Sequence, residues 1–459
     1  MSGAGGAGDL LFLAHRIPFP PNKGDKIRSF NILRHLSAHF RIHLGAFVDD
    51  PNDWRHRDDV AAYCASLCLL PLNPRAAKLR SLAGLLTGEA LTLPYYRDRR
   101  MRDWVRETLT ASGPMRALAF SSAMAQYLPA LRSAELPHTG ALPQVVDLVD
   151  VDSDKWRQYA QGHRGPMRWI YAREARRLLA FEREVAARAS ASVLVSEPEA
   201  ALFRELLRDQ EQGQGQGRVR KRRAWGQARE RVEDQAPDPS ARVHAIDNGV
   251  DTEYFSPERD HPNPFAPDSA NLVFTGAMDY WANVDAVRFF ADTVFPLIQQ
   301  TLPEARFVIV GSRPTPEVRA LDERPGIAVT GTVPDVRPYL AHAMGAVAPL
   351  RIARGVQNKV LEAMAMGCPV VATPQALDGL RDCAGMDWLV AEDPESLASL
   401  ALRLLQRHGE ERARLGAQAR ACVIAHYSWS EHLDRLLRLL QAEPESESNP
   451  GSEPIGVES

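Results

Sequence analysis

Short aliphatic runs alternate along this chain with stretches whose apolar residues return every three or four positions. The beat is regular in the second half. Leu272–Thr275, Phe307–Val310, Ile327–Thr330, Ala346–Pro349 and Pro369–Ala372 read as strands, two of them closed by Gly311 and Gly331. Between them Val284, Val287, Ala291 and Val294 keep helical spacing, a helix opens at Pro334-Asp335 and runs to about Ala343, and another spans Asn358–Met366. The first half is less regular, with strands predicted at Leu10–Ala14, Ile42–Val48, Leu67–Leu70, Leu118–Phe120, Val145–Leu148 and Val193–Val195. Strands separated by helices make βαβ units and parallel sheets. The pattern predicts an α/β protein with two doubly wound domains, 9–250 and 256–425.

Two segments break the rhythm. Residues 209–240 are Gln/Gly-rich, then basic, then acidic, which predicts a flexible insert. Residues 443–459 hold five Glu and no Lys or Arg, the composition of a disordered acidic tail.

Composition sets outer bounds. Hydrophobic residues are 45% and charged residues 25%, which is globular, and 459 residues suit two domains. The net charge of −3 gives no general attraction for nucleic acid. No apolar run approaches the length of about 18 residues that a membrane span needs. The first residues lack a basic start followed by a long apolar stretch, so no signal peptide is expected. Five Cys, few and odd in number, fit a cytoplasmic protein with free thiols.

Pro349–Ala372 (PLRIARGVQNKVLEAMAMGCPVVA) carries the densest chemistry. A buried strand ends at Leu350, a loop follows, a helix starts near Asn358, and Gly367 suits a left-handed stop. Ligands in parallel α/β folds sit at such strand–loop–helix junctions. The helix start offers N–H groups and partial positive charge to phosphate. Arg351, Arg354 and Lys359 add formal charge, with Gly355, Val356, Gln357 and Asn358 between them. Glu362, one turn inside, is placed to accept two hydrogen bonds from a ribose diol. The plain alternative is a helix with an ordinary charged first turn.

This run resembles the donor-binding signature of retaining glycosyltransferases of family 4, which have the GT-B fold. In that family a Glu is followed, after seven residues, by a second Glu and then Ala-Met-Ala-x-Gly-x-Pro-Val-Val. Glu362, Ala363, Met364, Ala365, Gly367, Pro369, Val370 and Val371 match, but the first Glu position holds Arg354. In the family that Glu serves the anomeric centre. Arg354 instead implies pairing with a diphosphate or a sugar carboxylate. Asn248–Asp251 with Tyr254, Phe255 and Pro257 resembles the family's interdomain hinge. Gly276 and Asn283 resemble the first loop of its nucleotide domain, and Thr330–Val333, with Gly331 and Val333, the segment facing the nucleobase. His426–Trp429 resembles the start of a C-terminal helix, 427–442, that crosses back to the first domain. Many members carry an Arg and a Lys after the Gly276 loop; GAMDYWANVD has neither, so the phosphate charge is expected from Arg351, Arg354 and Lys359. His15–Arg28, Asp147–Trp156 and Arg173–Glu197 look like a narrower subgroup, the sugar transferases of exopolysaccharide and PEP-CTERM/exosortase clusters.

In the first domain, Lys23, Gly24, Asp25 and Arg28 lie where the first loop enters the first helix. They are expected to touch donor phosphates or the acceptor; the plain alternative is an ordered loop with a capping Asp. Asp150, Asp152 and Asp154 follow a strand, and Asp152 is a candidate to orient an acceptor hydroxyl, although most such clusters are merely solvated. His35, His39 and His43 run from a helix end into a strand and need not share a face, so no metal site is expected. Cys64 and Cys68 read as core, and RVRKRR at 218–223 as a solvated charge run. Residues 75–106 hold eight Lys/Arg against three acids, among several Leu, two Tyr and a Trp. They fit either contact with the inner leaflet or a helical pair packed on its own domain.

The expected activity is transfer of a hexose-type sugar from a nucleotide-sugar to a glycan or lipid-linked acceptor in surface-polysaccharide assembly. The resemblance implies retention of configuration and no obligate metal or other cofactor. The rivals are a nucleotide-sugar epimerase on the same fold and an inactive scaffold. A dinucleotide oxidoreductase is disfavoured, because no G-x-G-x-x-G follows a strand.

Overall fold

A computed structural model describes residues 8–442 except 22, 114, 129–142, 223–237, 268, 354 and 381–388, and no side chain of 210–222. Arg354, the basic run's end, most of the later insert and the acidic tail therefore lie outside the described residues.

Two parallel sheets form. The first comprises β1 Asp9–Ala14, β2 Arg41–Val48, β3 Ser66–Pro71, β4 Arg116–Phe120, β5 Gln144–Val149, β6 Ala191–Leu194 and β7 Val243–Ala245, in the order β3-β2-β1-β4-β5-β6-β7. The second comprises β8 Ala270–Thr275, β9 Ala305–Val310, β10 Ile327–Gly331, β11 Gly345–Ala348, β12 Val370–Ala372 and β13 Leu389–Val390, in the order β10-β9-β8-β11-β12-β13. The short strands β7 and β13 are additions to the sequence reading. Strand order reverses between β1 and β4 and between β8 and β11, which makes both sheets doubly wound.

Alternating side chains feed a core on each face, as the strand period of two requires. Leu11 and Leu13 join one cluster while Leu10, Phe12 and Ala14 join the other. In the second sheet Leu272, Phe274, Phe307 and Ile309 point to one side, and Val273, Val308 and Val310 to the opposite side. Both faces are covered, which is why these strands read as continuous aliphatic runs.

The chain crosses between the cores twice, at adjacent places. Ile246 belongs to the first core and Val250 to the second; Tyr427 belongs to the second and Trp429 to the first. The crossings are bonded to each other, Val250 N donating to Tyr427 O at 2.9 Å. Gly249 is required there, because a Cβ would lie 2.7 Å from Trp429 N. The helix Trp429–Gln441 then lays Leu433, Leu436 and Leu440 against Ile32, Leu36 and Phe40 of the first domain.

Two expectations need correction. The helix Glu197–Arg222 runs well past residue 209, where a flexible insert was expected to begin. Phe203 and Leu207 anchor its first turns, and the helix continues through Gly213, Gly215 and Gly217 although each costs about 1 kcal/mol in helix propensity, which is why the sequence there reads as an insert. Cys64, Cys68 and Cys368 are free thiols, but Cys422 is in a disulfide, a pairing that sequence spacing does not reveal. The three His do not converge. His35 pairs with Asp434 at 3.1 Å, and His43 meets Ser66 at 2.8 Å and Asp9 at 3.3 Å.

Candidate functional site

The loops after β8 and β11 leave the sheet at its reversal point, side by side, and the helix Asn358–Ala365 starts there. Its N-cap Gln357 turns its side-chain amide to the Gly355 carbonyl (3.0 Å) rather than to the first-turn N–H groups. Gly367 ends the turn after this helix at φ 65°, the left-handed stop expected from the sequence.

Lys359 lies over the Phe274 ring, 4.4 Å from its centroid, and donates to Asn283 Oδ1. Asn283 in turn donates to the Ala277 carbonyl at 2.9 Å. Gly276 fits beneath this pair: a Cβ on it would approach Asn283 Nδ2 to 2.7 Å and Lys359 Nζ to 3.5 Å. Gly276, Asn283 and Lys359, distant in sequence, thus form one cluster. Burial lowers the Lys359 ammonium to about 7, against the opposing charge of Glu362. Burial likewise raises the Glu362 carboxyl to about 7, against the pull of Lys359. Among the described residues the Glu362 carboxylate accepts no hydrogen bond, so its oxygens are available.

The neighbouring loops are tightly keyed. Gly276 N donates to Val310 O at 3.0 Å, Met278 N to Ser312 O at 2.8 Å and Gly311 N to Gly331 O at 3.2 Å. A Cβ on Gly311 would fall 1.6 Å from Gly276 O. An open depression of about 580 Å³ lies beside them, lined by Arg313, Pro314, Arg319 and the Val329–Thr332 edge. Gly331 borders it, whereas Val333 packs against the core on the far face of the sheet.

The first domain meets the helix start. Gly24, at the head of the helix Gly24–Leu36, sits 3.8 Å (Cβ position) from Asn358 Nδ2, and Asn248 Nδ2 donates to Asn358 Oδ1 at 3.2 Å. Gly355 abuts Ser196, whose Oγ would lie 3.1 Å from a Cβ on the glycine, and Val356 is buried beside it. Lys23 has its ammonium lowered by burial and by the nearby cations Arg16 and Arg313, the latter from the opposite domain.

Several expected ligands have other partners. Arg28 is fully buried and donates to Asp147 at 2.8 Å, the Ile246 carbonyl at 2.9 Å and Asn248 at 3.0 Å. Through Nε and Nη1 it pins the first domain to the crossing segment, while Nη2 is buried without a partner among the described residues. Asp25 is held by Arg16 (2.5 Å) and His15 (3.2 Å). Burial favours its neutral form, but the hydrogen bond from His15 and the adjacent charges outweigh it and keep the carboxyl well below the usual range. Arg351, expected as a phosphate cation, is exposed and donates from Nε and Nη2 to the two oxygens of Asp285. Asp152 starts the helix Asp152–Gly162 and shares Lys155 with Asp150, at 3.3 and 2.7 Å. The two carboxylates outweigh the burial of Lys155 and keep its ammonium above the ordinary range. Asp154 turns inward and binds Arg157, so the three Asp do not act as one cluster.

From sequence, His15 and Arg16 enter only as part of the His15–Arg28 motif and Arg313 does not enter at all. His15 and Arg16 directly follow β1 at the reversal point, where a polar pair at a strand end is the usual sign of a ligand loop. His15 stacks on Phe120 at 5.7 Å. Arg313 follows β9 with φ 54° and pairs with Asp279 at 3.1 Å.

Residues 269–407 match the family model described as glycosyl transferases group 1. No curated protein matches the chain. Among solved structures, the sucrose-phosphate synthase of Thermosynechococcus elongatus is similar at 18% identity and a TM-score of 0.61, over 95% of this chain and 98% of that one. The N-terminal domain of the Candida albicans trehalose-6-phosphate phosphatase is similar at 13% identity and TM-score 0.60, over 96% and 98%. The Anabaena protein HepE, in complex with UDP-glucose, is similar at 13% identity and TM-score 0.59, over 94% and 99%. The fold is GT-B, and the segment 269–407 of its second half is similar to group 1 glycosyl transferases.

Proposed function

We propose that this protein is a glycosyltransferase of family 4, nearest the PEP-CTERM-associated subgroup, that moves a hexose from a nucleoside-diphosphate sugar to a glycan or lipid-linked acceptor in exopolysaccharide assembly, with retention. The observation that carries the reading is the Lys359–Glu362 pair, one cation and one unengaged carboxylate at a helix start, inside the segment that matches the glycosyltransferase model.

Glu362 accepts the ribose diol, and the depression beside Gly331 receives the base. Lys359 and the first-turn N–H groups face the diphosphate, with Lys23 and Arg313 approaching from either side of the cleft. These charges stand in for the basic pair missing after Gly276 and for a divalent ion. The sugar C1–O bond breaks with its electron pair going to the diphosphate oxygen, where the cations stabilise it. The acceptor oxygen forms the new bond to C1 and its proton passes to the departing phosphate. Asp152, paired with Lys155, orients the acceptor hydroxyl. By its sequence position Arg354 is assigned to the same phosphates. Domain closure about the paired crossings excludes water from the donor.

The test is nucleotide release from a panel of UDP-, GDP- and ADP-sugars by the purified full chain, with and without glycan acceptors. The expected result is release of one nucleoside diphosphate, faster with acceptor and lost in Glu362→Ala. Epimer formation without nucleotide release, or no turnover of any donor that binds, would overturn the reading.

A further inference from the structure

We propose that the first domain carries a docking surface for an anionic lipid bilayer, built from two segments that are separate in sequence. One is the pair of short helices Pro74–Ser81 and Ala83–Thr87; the other is the first turns of Gly165–Arg188.

The large apolar side chains here are unusually bare. Leu86 is 93% exposed, Leu79 72%, Trp169 59% and Leu82 52%. The two segments form one surface. Arg173 donates to the Gly84 carbonyl at 2.6 Å and to the Glu89 carbonyl at 3.1 Å. Glu174 accepts from the backbone N–H groups of Leu91 and Thr92 at 2.6 and 2.9 Å. These bonds fix the short helices across the long one, and Trp169 projects one turn before Arg173 on the same face.

Charge decides what covers the surface. Residues 74–88 and 161–173 contain Arg75, Lys78, Arg80, Arg164, Arg168 and Arg173 and no Asp or Glu, in a chain whose net charge is −3. An apolar centre flanked by the exposed cations Arg75, Lys78, Arg80, Arg164 and Arg168, with the bordering Glu89 already paired to Arg97, matches the acyl boundary and phosphate layer of an anionic leaflet. A second copy of the chain would set cation against cation across a two-fold axis. No helix among the described residues is long and apolar enough to cross a membrane, so the contact is peripheral.

The surface also lies at a useful distance from the cleft. The helix Asp152–Gly162 begins at the candidate acceptor side, and its other end reaches the start of the long helix, where His163 and Trp156 contact Tyr171 with centroids 5.0 and 5.4 Å apart. Eleven helical residues span about 16 Å. If the proposed transferase activity holds, that places a lipid-linked acceptor's head within reach of Asp152; the docking itself does not depend on it.

The experiment is co-sedimentation of the full chain with vesicles of phosphatidylcholine alone and of phosphatidylcholine with about one-third phosphatidylglycerol. The expected result is salt-sensitive binding to the anionic vesicles only. Leu86→Ser combined with Trp169→Ser, and separately Arg75→Glu combined with Lys78→Glu, should each weaken it roughly tenfold or more, with unchanged melting temperature and nucleotide affinity. Equal binding to both vesicle types, or variants that bind like the parent, would overturn the proposal. So would absence of vesicle binding alongside a dimer that Leu86→Ser dissociates, which would assign the surface to a second copy.

Discussion

Lys359 reaches across 76 residues of sequence to donate to Asn283 Oδ1, and so ties the start of the helix Asn358–Ala365 to the first turn of the helix Trp281–Phe289 that follows the β8 loop. The bond explains how a site lacking the basic pair after Gly276 still sets a cation there. It also holds that cation in a buried place where its charge is costly until an anion arrives.

Affinity for a nucleoside diphosphate is expected to depend on pH on both sides of neutrality. Binding needs Lys359 protonated and Glu362 ionised, and both groups are shifted to about 7. Affinity should fall above that pH as Lys359 loses its proton, and below it as Glu362 gains one. Lys359→Arg should remove the alkaline limb, because guanidinium keeps its charge. The stability of the unliganded protein follows the same groups. Glu362, raised from 4.5, contributes stability present below that value and lost as pH rises through about 7. Lys359, lowered from 10.5, contributes stability present above that value and lost as pH falls through about 7. Calorimetric titrations and melting curves from pH 5.5 to about 9 check both statements; a flat affinity profile would contradict the assignment.

Arg28→Met should destabilise the first domain by about 3–5 kcal/mol, because Asp147 would remain buried without its partner. Burial already pushes that carboxyl up, against the opposing effect of Arg28. Chemical denaturation is the measurement. Loss of donor affinity at unchanged stability would return Arg28 to the ligand role expected from sequence.

Arg351→Ala is expected to change nucleotide affinity by no more than about threefold, since an exposed pair with Asp285 contributes little. Lys359→Ala should cost tenfold or more. Similar losses for both would show that Arg351 leaves Asp285 when donor binds.

Gly311→Ala should impair nucleotide binding with a folding penalty of about 1–3 kcal/mol, because a Cβ there would collide with Gly276 O and displace the loop that holds Asn283. Parental affinity in this variant would mean the two loops move freely.

The sequence made the sheet cores legible because fully buried parallel strands leave aliphatic runs such as Phe307–Val310. Strands as short as Val243–Ala245 and Leu389–Val390 carry too little pattern to separate from a loop. Asn358, Lys359 and Glu362 could be placed because strand end, loop and helix start are contiguous. Arg28 could not, since a cation at a helix start looks the same whether it meets phosphate or a buried Asp147 that lies 119 positions away. Arg313 was hidden for a related reason: only the stacking of the β8, β9 and β10 loops brings it toward the cleft.

The most direct measurement is titration calorimetry of the full chain with UDP, GDP and ADP, repeated for Glu362→Gln and Glu362→Ala. One diphosphate is expected to bind the parent. Both variants should lose affinity, the alanine by tenfold or more, as loss of a charged hydrogen bond of about 1.5–3 kcal/mol requires. Failure of all three nucleotides to bind the parent, or undiminished affinity in folded Glu362→Ala, would contradict it.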